Sequence, residues 1–330
     1  MVVSVSDLQK VFVCQGRRYV QNGRLFLNAS GASLKGAFQG SVLRLFVYSD
    51  AVSKDRPAYI RLTLDGATRR ILLKEGERVL TKRLTQGEHT FEVIKLTESA
   101  NNSFGVMKVE TDGAFLPLKD DSSLNIEFIG DSITTGFGVL APINSYGEYK
   151  TKEQDVTKAF SYLTAKALNA NYSVIAAGGW GVCKSKYSPY AIPDYYDHVD
   201  LLRNTEKYDD PNFCPDVFVV ALGTNDESYL ADLSEPVKGM ERAVIKGAFV
   251  AFIKKLLAKN KPVVLVYGFF DYPDLKTLTE EVWQEVDSPF LSTLEVKSDV
   301  SLNDVRAGHP GKRCHKLAAK RLIKALKNLL

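Results

Sequence analysis

One hydroxyl, one imidazole and three small-residue turns are the groups in this sequence that fit together as chemistry. Gly130-Asp131-Ser132 follows an apolar, β-favouring run from Ile126 to Ile129, which reads as a buried strand that bends at Gly130 and lifts Ser132 to its carboxyl end. In open α/β sheets ligands bind at that end. A serine there is either the cap of a helix or a nucleophile whose neighbouring backbone N–H groups stabilise an oxyanion, and the tripeptide alone favours the cap.

Two further runs end in the same way. Tyr172 to Ala176 stops at Gly178-Gly179-Trp180-Gly181, and Asp216 to Leu222 stops at Gly223-Thr224-Asn225-Asp226. Parallel strands would bring all three turns to one edge of a sheet. Acyl transfer needs a hydroxyl nucleophile, N–H donors about 3 Å from the developing oxyanion, and a base for the nucleophile's proton. Ser132 offers the hydroxyl and its own N–H, Gly179 a second N–H, and Asn225 a side-chain amide.

The base must come from four histidines. His309, in the loop Gly308-His309-Pro310-Gly311 ahead of a terminal helix, is the candidate, because such a loop can reach over a strand edge. His89 reads as a structural residue in a turn, His198 as a solvated loop residue, and His315 as packing or surface of the terminal helix. His309 and His315 are a poor metal pair, since six positions at about 100° per residue point to different faces. Cys14, Cys183, Cys214 and Cys314 form no Cys-x-x-Cys pair and read as buried apolar thiols, neither a disulfide framework nor a zinc site. The Gly-x-x-x-x-Gly-Lys phosphate loop is absent. No metal and no cofactor are expected.

The elements that must position these groups fall into two domains, as 330 residues exceed one comfortable core. Residues 1–120 alternate in short segments: Val42 to Tyr48, Tyr59 to Leu64 with the hairpin signal Asp65-Gly66, Ile71 to Leu73, and Phe91 to Leu96 after a turn at Gln86-Gly87. This pattern predicts an all-β sandwich or jelly roll. A polar stretch, Lys119 to Ser123, marks the boundary. Residues 121–330 alternate strand and helix, with helices over 156–168, 237–258 and 311–329 and strands over 126–129, 172–176, 216–222 and 262–269. That predicts a three-layer, doubly wound parallel sheet.

Hydrophobic residues make up 45% and charged residues 25% of the chain, and the formal net charge of +4 is spread along it, so no nucleic-acid partner is expected. No run of about 18 apolar residues suits a membrane span. The first ten residues lack a secretory apolar core, which makes the cytoplasm the expected compartment.

Gly130-Asp131-Ser132-Ile133-Thr134, Gly179-Trp180-Gly181, Gly223-Thr224-Asn225-Asp226 and His309-Pro310 resemble, in order and spacing, the four sequence blocks of the SGNH or GDSL-type hydrolases. The preceding β domain, with Gly87-Glu88-His89-Thr90 and Lys95-Leu96-Thr97-Glu98, is similar to carbohydrate esterase family 2, which removes acetyl groups from xylan and mannan. The resemblance implies Ser132 as nucleophile, His309 as base, and Ser132, Gly179 and Asn225 as oxyanion donors. It also implies an acetylated poly- or oligosaccharide as substrate. Trp180, Asp226 and Tyr229 lie beside the proposed oxyanion donors, where they read either as sugar contacts, by stacking or hydrogen bonding, or as ordinary rim packing. One position departs from the pattern. SGNH enzymes commonly carry Asp three residues before the histidine, where this chain has Arg306. Some family 2 esterases orient the histidine through a backbone carbonyl, and the main chain near Ala307 would serve here, with Asp304 the nearest acid and Arg306 turned outward. A lipase or thioesterase, or a non-catalytic carbohydrate-binding protein, would fit the same constellation.

Overall fold

The computed structural model describes residues 1–296 and 304–330. Two compact units emerge, one of Met1–Asp121 with 150–152 and 199–208, the other of the remaining chain. The two added pieces depart from a single boundary at residue 120, and polar anchors explain them. Asn28 donates to the Asp200 carboxylate at 2.6 Å, and Arg203 donates to Asp50 and to the Ser99 carbonyl, each at 2.9 Å. Arg70 donates to the carbonyls of Thr151 and Lys152.

In the first unit ten strands hydrogen-bond into one antiparallel sheet. Its longest members, β1 (Ser33–Ser49) and β4 (Gly76–Lys95), pair end to end with a register slip between Gly40 and Val42, where a bulge bends the strand. In the chain between them, β2 (Tyr59–Leu64) and β3 (Ala67–Leu72) form a two-residue hairpin at Asp65 and Gly66, with β2 pairing to the other side of β4. Both turn residues have positive φ, at 48° and 80°, as such a hairpin requires. Another strand, β5 (Gly105–Thr111), flanks β1. Leu34, Phe38, Leu45, Leu62, Phe91 and Val93 fill the core of this unit. Gln86-Gly87 is not the expected turn: Gly87 pairs with Gly40 inside β4, and His89 is a strand residue opposite Phe38.

The second unit holds five parallel strands, β6 (Asn125–Gly130), β7 (Asn171–Ala176), β8 (Val217–Ala221), β9 (Val263–Tyr267) and β10 (Leu291–Glu295), in the order β7-β6-β8-β9-β10. Every residue of β8 and β9 is buried, so these strands read as unbroken apolar runs rather than alternations. Among the described residues its longer helices are α1 (Phe160–Ala167), α2 (Thr224–Leu230), α3 (Val237–Leu257), α4 (Pro273–Val286) and α5 (Lys312–Leu329). From β6 the chain steps one way to β7 and the other way through β8 to β10. Right-handed crossovers therefore send α1 to one face and α3 and α4 to the other, and α1 packs with α5 while α3 packs with α4. The reversal falls between β6 and β8, the place where such sheets open a crevice for ligands.

Four details differ from the sequence reading. The helix expected over 156–168 begins as a 3-10 turn, Val156–Lys158, and breaks at extended Ala159 before α1. The turn at Gly223 leads directly into α2. Helix α4 and strand β10 had no expectation, although Leu275, Leu278 and Val282 carry helical spacing. Cys214 is exposed, whereas Cys314 is buried and Cys14 and Cys183 are half-buried. Among the described residues no helix is long and apolar enough to cross a membrane, and no group of three or more His, Cys, Asp or Glu is arranged to hold a metal ion.

Candidate active site

Strand register brings the site together. Gly130 at the end of β6 lies beside Ala176 of β7 on one side and Ala221 of β8 on the other. Two residues further along, the three turns at Ser132, Gly178 and Gly223 leave the sheet at one level. The first turn is locked by its own atoms: Asp131 Oδ1 accepts from the Ile133 N–H at 2.9 Å, and the Ser132 carbonyl accepts from the Phe137 N–H and the Thr135 hydroxyl. Gly130 is required there, because a Cβ would collide with the Thr134 hydroxyl.

His309 arrives from the other end of the chain. Its Nε2 lies 2.9 Å from Ser132 Oγ, and its Nδ1 lies 3.0 Å from the Ala307 carbonyl oxygen. A carbonyl only accepts, so Nδ1 carries the proton and Nε2 presents its lone pair to the serine hydroxyl. This is the tautomer that a general base needs. The Phe137 ring stands edge-on to the imidazole at 4.6 Å, and Phe270 lies at 6.5 Å. Burial lowers the His309 pKa from its ordinary value, while the bond to Ala307 opposes that shift in part. The neutral form therefore dominates at pH 7.

The residue standing where the acid is common does not face the imidazole. Arg306 Nε donates to Asp304 Oδ1 at 2.8 Å and its Nη1 to the Ala141 carbonyl at 2.6 Å, so the side chain is held against protein rather than turned outward as expected. Asp304 is buried, and its other oxygen accepts from the Arg313 N–H at the start of α5. Its carboxylate braces Arg306 and the helix, and the contact to His309 Nδ1 comes from Ala307.

Gly179 takes a positive φ of 79°, and its carbonyl accepts from the Ser185 hydroxyl at 2.5 Å. Asn225, in the first turn of α2, donates through Nδ2 to the Trp180 carbonyl at 2.9 Å and makes a longer contact of 3.4 Å to Asp131 Oδ2. One amide hydrogen is thus committed to Trp180 and the other is only weakly held.

Two of the residues read either as sugar contacts or as rim packing are buried. Asp226 is 0% exposed: Oδ2 accepts from the Val182 N–H, and Oδ1 from the N–H groups of Cys183 and Lys184. Burial raises its pKa, against the pull of those three N–H donors. Its carboxylate shapes the 182–184 turn, leaving no oxygen for a ligand. Trp180 is 3% exposed, its ring packed against Tyr190 at 5.1 Å and Tyr195 at 5.2 Å. Tyr229 is half-buried, with Lys184 Nζ 5.8 Å from its ring centre. The sequence reading missed Tyr187, which is 64% exposed and packs its Cβ toward Gly179, and Phe137, which backs the imidazole. Phe137 lies five residues after Ser132, near enough to have been found. Tyr187 carries no periodic signal.

His315 is packing, as one of its two expected roles: it is buried, its Nδ1 accepts from the Phe160 N–H at 3.2 Å, and burial depresses its pKa to about 4. His198 lies in a short strand, half-buried, with its ring 5.3 Å from Tyr195.

Residues 14–118 match the family described as carbohydrate esterase 2 N-terminal, and residues 128–293 match the GDSL-like lipase/acylhydrolase family. An acetylxylan esterase / glucomannan deacetylase of Cellvibrio japonicus is 31% identical over 211 residues, 61% of this chain and 58% of that protein, so the match spans less than two thirds of the relative's length. The acetyl xylan esterase Est2A of the rumen bacterium Butyrivibrio proteoclasticus has a TM-score of 0.88 at 22% identity, over 99% of this chain and 98% of its own. A family two carbohydrate esterase from Clostridium thermocellum, solved in complex with cellohexaose, has a TM-score of 0.83 at 22% identity, over 96% of this chain and 98% of its own. At these identities the structural likeness speaks for the fold. With residues 128–293, from β6 into β10, matched by that family's model, the chain belongs to the GDSL-like lipase/acylhydrolase family, and its residues 14–118 match the model described as carbohydrate esterase 2 N-terminal.

Proposed function

We propose that the chain is a carbohydrate O-acetyl esterase that releases acetate from acetylated polysaccharides or oligosaccharides of the xylan and mannan type. The observation that carries this reading is the 2.9 Å contact between Ser132 Oγ and the lone-pair nitrogen of His309 at the strand edge beside Gly179 and Asn225. His309 withdraws the Ser132 proton as the hydroxyl attacks the acetyl carbonyl. The N–H groups of Ser132 and Gly179 and the less committed N–H of the Asn225 amide hold the oxyanion. The imidazolium keeps its Nδ1 proton on Ala307 and returns the Nε2 proton to the departing sugar oxygen. Water, deprotonated by the same histidine, then cleaves the acetyl-enzyme. Tyr187 and Tyr229 offer ring faces to the sugar. In the same reading the β unit is a jelly-roll accessory domain, supported by the long, bulged pairing of β1 with β4.

The acetyl preference and the glycan class are supported by the named activity of the Cellvibrio japonicus relative and by the esterase-type N-terminal match. The test compares acetate release from acetylated xylan and glucomannan with hydrolysis of 4-nitrophenyl esters of increasing acyl length. Preference for acetyl on a glycan supports the proposal. A preference for long acyl chains would make the chain a lipase or thioesterase, and glycan binding without turnover would make it a carbohydrate-binding protein.

A further inference from the structure

Ala307, whose carbonyl holds His309, has a φ of +48°, a conformation that a residue with a Cβ keeps only where its surroundings impose it. One surface segment supplies those surroundings. The Arg306 guanidinium donates to the Ala141 carbonyl at 2.6 Å, and the Asn144 N–H donates to the Val305 carbonyl at 2.6 Å. At Ala307 itself two bonds come from Ser145. The Ala307 N–H donates to Ser145 Oγ and the Gly308 N–H to the Ser145 carbonyl, each at 2.9 Å. Those two N–H groups belong to the peptide units on either side of the Ala307 Cα, so Ser145 fixes both of its dihedrals. The second unit is the one that acts on the histidine: its N–H is tied to Ser145 and its carbonyl accepts from His309 Nδ1. Hydrogen bonds in such a chain polarise one another, which strengthens the carbonyl as an acceptor.

We propose that Ser145 is the positioning residue for His309, acting through the Ala307–Gly308 peptide in the place of the acid that Arg306 displaces. This rests on the reading of the site as a Ser132–His309 esterase. The hydroxyl must accept from Ala307 and at the same time donate, which it does to the Pro142 carbonyl at 2.7 Å. Threonine retains both capacities and alanine neither. Ser145 is half-buried in a surface loop, so neither change removes core packing.

The experiment measures kcat and KM for 4-nitrophenyl acetate across pH in wild type, Ser145→Ala and Ser145→Thr, together with the proton NMR signal of His309 Nδ1–H, assigned by its absence in His309→Gln. Ser145→Ala is expected to lower kcat about 10- to 100-fold, the size of effect seen when metal-ligating histidines lose an orienting partner, with KM within about threefold. Its acid limb moves to lower pH, because the carbonyl bond that raises the imidazole pKa is loosened. Its Nδ1–H signal is lost to solvent exchange. Ser145→Thr restores all three. The inference is overturned if Ser145→Ala keeps kcat, pH profile and signal, or loses activity only in step with melting temperature while profile and signal stay unchanged. A wild type inactive on every acetyl ester would refute the esterase reading, and the NMR signal alone would then decide whether Ser145 holds the histidine.

Discussion

Replacing Asn225 by alanine separates the oxyanion-donor role proposed for it from its tie between neighbouring turns. In the resting protein its Nδ2 donates to the Trp180 carbonyl at 2.9 Å, and the 3.4 Å approach to Asp131 adds little. Losing the first bond leaves a buried carbonyl without that partner, which costs about 1–3 kcal/mol of stability. For a unit of this size that corresponds to a melting temperature lower by about 2–4 °C per kcal/mol. Losing an oxyanion donor is a separate and larger effect on rate, about 10²–10³ in kcat, or about 2.7–4 kcal/mol of transition-state stabilisation. The assay is 4-nitrophenyl acetate hydrolysis below the melting range, with kcat and KM resolved and the folded fraction checked by circular dichroism. The expected result is a kcat lower by two to three orders of magnitude with KM nearly unchanged. A kcat within about threefold of wild type, or a rise in KM alone, would remove Asn225 from the oxyanion site.

Three further outcomes follow from the same geometry. Because burial holds the His309 pKa below its ordinary value, the imidazole keeps its base form as pH falls, and the acid limb of kcat/KM should lie below about pH 6.5; a limb above that value would contradict the environment described. Asp226→Asn should lower stability by about 1–3 kcal/mol in urea unfolding, since one oxygen facing a backbone N–H becomes an amide, and a pure KM effect without destabilisation would instead make it a ligand contact. His89 directs Nδ1 to Asp65 at 2.7 Å and Nε2 to the Thr85 carbonyl at 2.8 Å, an arrangement that favours the imidazolium and raises its pKa, chiefly through the Thr85 bond. Its contribution is present below the unfolded value of about 6.5 and lost as pH rises through the folded value, so His89→Gln should destabilise more at pH 5.5 than at pH 8.5, and an equal loss at both would refute the charged form.

Much of the site was legible because its signals are local. An apolar run ending in Gly130-Asp131-Ser132 carries the strand, the bend and the hydroxyl within a few residues, and the same holds at Gly179 and Asn225. The carbonyl near Ala307 was legible only through the resemblance to family 2 esterases, which left Asp304 as the other candidate once Arg306 occupied the acid position. What failed depends on partners far along the chain. Asp226 reads either as a ligand contact or as packing, and what decides between them is that its oxygens are claimed by N–H groups more than forty residues earlier. Ser145 acts across 162 residues on Ala307, and no periodicity marks such a contact. In the β unit the turn placed at Gly87 failed because a register slip opposite Gly40 and Val42 lets β4 run on through Gly87. Helix α4 was a different kind of miss, since Leu275, Leu278 and Val282 already carried the spacing that buries one face.

The central claim is that Ser132 carries the acetyl group, and the most direct measurement is acetate release from acetylated xylan by wild type and by Ser132→Ala of matched folding. Truncating the Ser132 side chain in the turn after β6 leaves the Asp131, Thr135 and Phe137 bonds of that turn in place, so the variant is expected to melt with wild type. The account predicts release at the uncatalysed level from Ser132→Ala and sustained release from wild type. Release by Ser132→Ala at the wild-type rate would contradict it.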